Sequence, residues 1–347
     1  MVTYVLAIIV VALVFDFING FHDSANSIAT IVGTRVLSPF AAVCWAAFFN
    51  FSALFVIKTA VAKAVASGFI DPAIVTPNVI CAALLGAITW NLVTWWFGIP
   101  SSSSHALIGG LAGAGMAKAG LSALAVGHGS KWAQTLSAIA VSPLLGSLFG
   151  YLLMLVVLNL FRKASPARVD RMFRPGQLIS SALLSLSHGG NDAQKTMGII
   201  VGLLVSVAPQ FAGETGWQHF LYHADARTIP LWVEVAAYTS ISLGTLFGGW
   251  RIVNTMGSRI TKLRPVGGFC AETGGAVVIL GASQFGIPVS TTHTITGSIV
   301  GVGATQRLRA VRWGLAGRIV WAWILTIPAT AVMAAIFLTI LQAIHPL

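Results

Sequence analysis

Two aspartates and two hydroxyl-rich clusters are the groups in this sequence whose type and spacing can do chemistry. Asp23 lies in Gly20-Phe21-His22-Asp23-Ser24-Ala25-Asn26, and Asp192 in Gly189-Gly190-Asn191-Asp192-Ala193-Gln194-Lys195. Aligned on the aspartates, Asn26 of the first copy stands opposite Lys195 of the second. A further motif, Gly98-Ile99-Pro100-Ser101-Ser102-Ser103-Ser104-His105, recurs as Gly286-Ile287-Pro288-Val289-Ser290-Thr291-Thr292-His293. Each copy has a glycine four residues beyond its histidine, at Gly109 and Gly297. Two independent motifs repeated in the same order mark an internal duplication.

In the second motif the proline ends one segment, and the hydroxyl cluster sits where a new helix should begin. Serine and threonine are favoured N-caps, and a helix N-terminus offers free N–H groups and a positive dipole end to an anion. Two such ends, one per half, could converge on one anion, with Ser102, Ser103, Ser104, Ser290, Thr291 and Thr292 adding hydroxyl donors. A single copy would read as a cap on a buried helix; matched positions in both halves favour binding. Asp23 and Asp192 lie in apolar stretches, where a charge costs about 2.5 kcal/mol or more and marks function by default. Carboxylates can accept the proton of monohydrogen phosphate, whereas sulfate has none at neutral pH; they can also hold a coupling cation or a proton. Asn26, Asn191 and Lys195 join them as candidate substrate contacts.

Glu272, in Ala271-Glu272-Thr273-Gly274-Gly275, is a third intramembrane carboxylate and a candidate proton or cation group. His105 and His293 suit either anion binding and proton relay or packing in a core. Asp16 and Glu234 are read as interfacial. His22 and His188 are not equivalent in the repeat, so a four-histidine metal site is not expected, and no resident metal or cofactor is named. Three cysteines, Cys44, Cys81 and Cys270, are too few and scattered for a disulfide framework or a zinc site.

The elements that must position these groups are membrane spans. Of 347 residues 56% are hydrophobic and 8% charged, against about 25% charged in a soluble domain. Runs long enough for ~30 Å of hydrocarbon, about 20 residues each, recur at 38–57, 79–97, 140–161, 230–250 and 314–343. Residues 4–19 lack a basic start and read as the first span, not as a removed leader. The net charge of +11 resides in short segments (Arg162 to Arg174, Arg251 to Arg264, Arg307 to Arg312), the pattern of a cytoplasmic face in contact with anionic lipid. No basic stripe interleaves with aromatics, so no nucleic-acid partner is expected.

From an outside N-terminus, 4–34 crosses inward and 38–57 returns. Segments 79–97 and 101–118 go in and come back, and 132–161 descends to a basic linker. The second half starts inside and repeats the plan upside down through 178–208, 230–250, 268–285, 287–304 and 314–343. The expected architecture is an all-α polytopic membrane protein: a first repeat at 1–161, a cytoplasmic linker at 162–177 and an inverted repeat at 178–347. Both termini are placed outside a cytoplasmic (inner) membrane. Inverted repeats of this kind hold their site at the repeat interface. Asn19-Gly20 and His188-Gly189-Gly190 are expected to break the first span of each half, and Gly-Ile-Pro the paired segments, which are either re-entrant hairpins or full spans. The two motif offsets differ by about the length of the polar insertion at 209–229, which a loop accommodates cheaply.

Along nearly the whole chain these motifs resemble the inorganic phosphate transporter (PiT) family, in its bacterial low-affinity permease form. The resemblance implies symport of phosphate with a cation through an inverted-repeat fold, and puts Asp23, Asn26, Asp192 and the Ser/Thr clusters at the substrate. Sodium-coupled members are similar in carrying an asparagine three residues after each aspartate. Here the second copy has Lys195, whose ammonium could occupy the place of a sodium ion. The Asn-Asp-Ala-Gln-Lys form is similar to the proton-coupled branch, some of whose members take phosphate as a neutral divalent-metal complex. Alternatives are a sulfate permease of the same fold, a sodium-coupled phosphate symporter and a channel. An aspartyl protease needs Gly-x-Gly-Asp, which this chain lacks, so no enzyme is expected. A homo-oligomer is compatible with the sequence, without a diagnostic motif.

Overall fold

The computed structural model describes residues 1–67, 69–126 and 130–345; positions 68, 127–129 and 346–347 of the expected repeats lie outside the described residues. All regular structure among the described residues is helical: α1 (Val2–Gly33), α2 (Pro39–Ser52), α3 (Ala60–Ser67), α4 (Pro77–Trp96), α5 (Ser103–Ala119) and α6 (Lys131–Leu160) in the first half. The second half holds α7 (Pro166–Phe211), α8 (Leu231–Phe247), α9 (Trp250–Asn254), α10 (Pro265–Gln284), α11 (Thr291–Gln306) and α12 (Trp313–Ile344). Six helices are long and apolar enough to cross a membrane, or seven if the bent pair α2–α3 counts as one. The segment 166–177, expected as linker, is the first part of α7, itself 46 residues long.

Equivalent helices run antiparallel, which is the inversion made visible. On α1 and α7, Thr34 meets Gln177 at 2.9 Å, while Asp16 lies beside Thr196. Numbers rise on one helix as they fall on the other. The halves also exchange elements. Helix α6 packs most closely on α11 and α10, and reciprocally α12 on α5 and α4; α1 packs on α8 and α7 on α2 and α3. Neither half has a core of its own.

The paired segments are re-entrant hairpins. Asn78, at the start of α4, accepts from Tyr4 and donates to the carbonyl of His345 at 2.7 Å. Lys118, near the end of α5, donates to Thr76 at 3.1 Å. Both termini and both ends of the first hairpin therefore share one face. On the opposite face Arg264, just before α10, lies 3.9 Å from Asp170, and the Arg312 amide after α11 donates to Ile260 at 3.0 Å. Each hairpin begins with proline at its first turn, the position that does not need an N–H. It turns at a glycine in the left-handed region, Gly98 with φ 64° and Gly286 with φ 65°, as helix ends commonly do. Each turn rests on a break in the other half. Gly98 lies against Arg251 at the Gly248-Gly249 interruption, and Gly286 against Ala60 at the 81° bend between α2 and α3.

Two expected breaks do not occur. Helices α1 and α7 run straight through Asn19-Gly20 and His188-Gly189-Gly190. A glycine inside a helix costs only about 1 kcal/mol, and here its missing side chain admits another backbone. A Cβ on Gly20 would collide with the Ile241 carbonyl of α8, and one on Gly189 would sit 2.6 Å from the Asn50 carbonyl of α2. Gly109 and Gly113 likewise admit α12, and Gly297 and Gly301 admit α6, the small-xxx-small packing of membrane helices. Gly20→Val should destabilise the protein by about 2–4 kcal/mol through overpacking, whereas Gly281→Ala, with open space around it, should be silent. Thermal unfolding of both variants in detergent checks this.

Candidate functional site

The two hairpin tips meet where α1 crosses α7. The rings of His105 and His293, three residues past the N-caps of α5 and α11, touch edge to face at 4.7 Å, and His293 stacks on Trp323 at 3.8 Å. Around this point lies a polar layer, with one apolar cluster on the terminal side (Phe15, Leu84, Leu107, Ile200) and a second on the basic side (Ile28, Phe173, Ile295, Trp323). Asp23, Asn26, Ser102, Ser103, Ser104, Asp192, Lys195, Ser290, Thr291 and Thr292 are all buried. The layer is closed on both sides.

Within it the motifs interlock. Lys195 binds Asp192 on its own helix and Ser104 on the first hairpin, and donates to the Val289 carbonyl on the second hairpin at 3.1 Å. Thr291 donates to Asp192 at 3.0 Å, and Thr292 approaches Asp23 at 3.5 Å. Asn26 donates to Thr291 and Thr292 at 3.1 and 2.9 Å. Each helix thus reaches across to the opposite half's hairpin. Ser102 and Ser290 are spent as caps, accepting from the amides of His105 and His293 at 3.3 and 3.2 Å. The unspent donors are the amides of residues 103, 104, 291 and 292, the Ser103 hydroxyl, which has no partner among the described residues, and the O–H of Ser104, whose oxygen accepts from Lys195.

Charge decides what such a layer can hold. Asp23, Asp192 and Lys195 sum to one negative charge, and two helix N-termini contribute about half a positive charge each. The sum is near zero, so an anion bound alone would leave its charge uncompensated. Asp23, His188 and Asp192 each offer one ligand atom, all within 4.8 Å of one another; ligand distances of about 2.0–2.6 Å would need only a small contraction. The acids are braced by histidines: His22 Nδ1 lies 2.7 Å from Asp23, and His188 Nε2 lies 3.1 Å from Asp192.

The structure also places four further residues. Asn191, beside Asp192 on α7, donates from its amide to Ser283 of α10 at 2.8 Å, and its Oδ1 is buried without a partner among the described residues. Glu272 is buried away from the tips and accepts from Thr30 at 2.6 Å, Gln177 at 2.9 Å and Ser180 at 2.5 Å. Those three partners escaped sequence reading because two fall where the linker was expected to meet the second repeat. Asp16, read as interfacial, is fully buried, while Glu234 is half-buried.

The fold and this layer define a multi-pass membrane transport protein, in which paired helix ends from two inverted halves enclose a charged site. Residues 19–334 match the phosphate transporter family, and the chain belongs to that family. It is 58% identical to a probable low-affinity inorganic phosphate transporter of Rhizobium meliloti, covering 95% of this chain and 94% of that one. A Bacillus subtilis protein of the same description is 43% identical, with 97% of each chain covered. Among solved structures, "The sodium-dependent phosphate transporter" superposes with a TM-score of 0.86 over 99% of this chain and 100% of that one. At 24% identity that likeness is one of fold.

Removing one member of a buried ion pair strands the other. Lys195→Met should destabilise the protein by about 3–5 kcal/mol, and Asp192→Asn combined with Lys195→Met by less than the single change. A thermal double-mutant cycle in detergent measures the difference.

Proposed function

We propose that this protein is a secondary active symporter that carries inorganic phosphate together with protons by alternating access. The observation that carries the reading is the convergence of both hairpin tips on Asp23, Asp192 and Lys195. Phosphate would take the free amides of residues 103, 104, 291 and 292 and the hydroxyls of Ser103 and Ser104. Its own hydroxyl would donate to Asp23, the carboxylate with the fewer partners. Anion without cation, or cation without anion, leaves uncompensated charge in a low-dielectric layer, and that cost enforces co-transport. The apolar clusters on either side would open alternately as the halves rock about the layer.

The ammonium of Lys195 supports protons over sodium. It is held by a carboxylate, a hydroxyl and a backbone carbonyl, an all-oxygen set of the kind that holds hard metal cations. Lys195 therefore stands where a sodium ion could stand. Asp23, His188 and Asp192 provide a place for a divalent metal travelling as co-substrate with phosphate. Glu272, held by three donors, and the packed pair His105 and His293 remain candidates for the coupling groups on the basic side. The basic face, with Arg162 to Arg174 and Arg251 to Arg264, would be cytoplasmic, which puts both termini outside the inner membrane. The apolar outer faces of α6 and α12, with Leu144, Leu148, Leu152, Ile324 and Ile336 exposed, would meet lipid.

In proteoliposomes, radiolabelled phosphate should accumulate under an inward proton gradient and not under an inward sodium gradient. Excess sulfate should compete poorly, since it brings no proton for Asp23. Lys195→Asn should confer a sodium response; a variant that transports yet ignores sodium would remove the replacement argument. Uptake of wild-type protein driven by sodium alone would overturn the proton assignment, and uptake of sulfate in place of phosphate would favour a sulfate permease.

A further inference from the structure

One buried carboxylate takes no part in the layer described above. Asp16 lies on α1 two turns before Asp23, its side chain fully buried. Glu272 is held by three donors, but neither oxygen of Asp16 reaches good hydrogen-bond geometry with a protein atom among the described residues. The polar side chains beside it are in the same condition: Asn19 Oδ1, Thr196 Oγ1 and the Tyr238 hydroxyl are buried without a partner of good geometry. Asp16 is met only by weaker contacts with Thr196 and Asn19, and Tyr238 by one with Gln194. A buried carboxylate held this loosely is costly, and inside a membrane such a group is a functional candidate by default.

Its position gives it a direction. Helix α8 runs parallel to α1, with Ser240 donating to Leu13 at 2.6 Å and Gly249 donating to Ser24 at 2.5 Å. The start of α8 therefore lies on the face that carries the termini. Glu234, half-buried in the first turn of α8, precedes Tyr238 by one turn, and Tyr238 feels the charges of both Glu234 and Asp16. On its inner side Asp16 lies beside Asn19 and Thr196, within the fields of Asp192 and Lys195. Glu234, Tyr238, Asp16 and the Asp192–Lys195 pair thus form a line from the terminal face to the site. Lys63 of α3 faces Glu234 at the outer end, and Gln194 of α7 flanks Tyr238. At the inner end His188 lies 3.1 Å from Asp192, and His105 of the first hairpin lies within the fields of Asp192 and Lys195.

Resting on the phosphate–proton reading above, we infer that Asp16 is the group that takes up the coupled proton, delivered from the terminal face past Glu234 and Tyr238. One proton from that side joins the Asp16 carboxylate and makes it a neutral acid. Two aspartates, Asp16 and Asp192, then no longer confront an arriving anion together. After the halves rock, the same proton leaves to the opposite side with phosphate, restoring the carboxylate. The repeat makes the device one-sided, because the position equivalent to Asp16 in α7 is Ser185, whose hydroxyl merely donates to the Ser181 carbonyl at 2.8 Å.

The test uses full-length protein in proteoliposomes with a pH-sensitive dye inside, measuring phosphate–phosphate exchange and proton-driven net uptake separately. Asp16→Asn should keep exchange, which needs no net proton movement, and lose about tenfold or more of proton-driven uptake and of the phosphate-linked dye signal. Asp16→Glu should restore both, and Tyr238→Phe should slow net uptake while sparing exchange. Asp16→Asn with wild-type uptake and dye signal would overturn this inference and leave the phosphate–proton reading standing. Wild-type protein that moves phosphate without any dye signal would overturn both. If Asp16→Asn does not fold, a Tyr238→Phe variant with undiminished proton-driven uptake would count against the route.

Discussion

Burying Asp23 and Asp192 in a low-dielectric layer is the constraint on which the rest of this structure depends. A carboxylate inside a membrane must be met by donors and positive charge, and almost every irregularity of the fold supplies them. The two hairpins stop short of crossing and turn back, so that two helix N-termini face the acids. The turns need glycine at positive φ, and they rest on the bend before Ala60 and on the break at Gly248-Gly249. Because Asp23 draws on Thr292 of the second half's hairpin and Lys195 on Ser104 of the first half's, neither half can complete a site alone. The exchange of α6 and α12 between halves locks that dependence into the packing.

A near-neutral layer also suits the co-transport proposed above. Were the layer strongly positive, it would trap the anion; were it strongly negative, it would exclude it. With the acids set against Lys195 and two helix ends, either ion alone is unfavourable and the pair is tolerated. The asymmetry between the halves sits in single residues. Lys195 stands opposite Asn26, Glu272 opposite Leu84 within its hairpin, and Asp16 opposite Ser185. These three differences make the two halves chemically unequal around an otherwise repeated frame.

Much of this was legible in the sequence, and what was not has physical reasons. The motif repeat, the all-helical inverted architecture and the meeting of Asp23, Asn26, Asp192 and Lys195 with the Ser/Thr clusters follow from residue types that are expensive in a membrane and therefore stand out. Gly20 and Gly189 misled because glycine has two uses, breaking a helix and letting one approach another, and only tertiary contact distinguishes them. The burial of Asp16 was hidden by its place in an apolar run near the chain start, where an interfacial position is equally compatible with the sequence. The exchange of α6 and α12 between the halves was not legible, since long-range packing leaves little trace in composition beyond Gly109, Gly113, Gly297 and Gly301.

The central claim, that both hairpin tips hold one anion, is tested most directly by solid-state NMR dephasing between the phosphorus of bound phosphate and backbone nitrogen in protein labelled at serine or at threonine amides. The account predicts short-range coupling in both samples, from residues 103 and 104 in one and from 291 and 292 in the other. It also predicts loss of both couplings when Asp192→Asn abolishes binding. Phosphate bound with coupling to one tip only, or to neither, would contradict it.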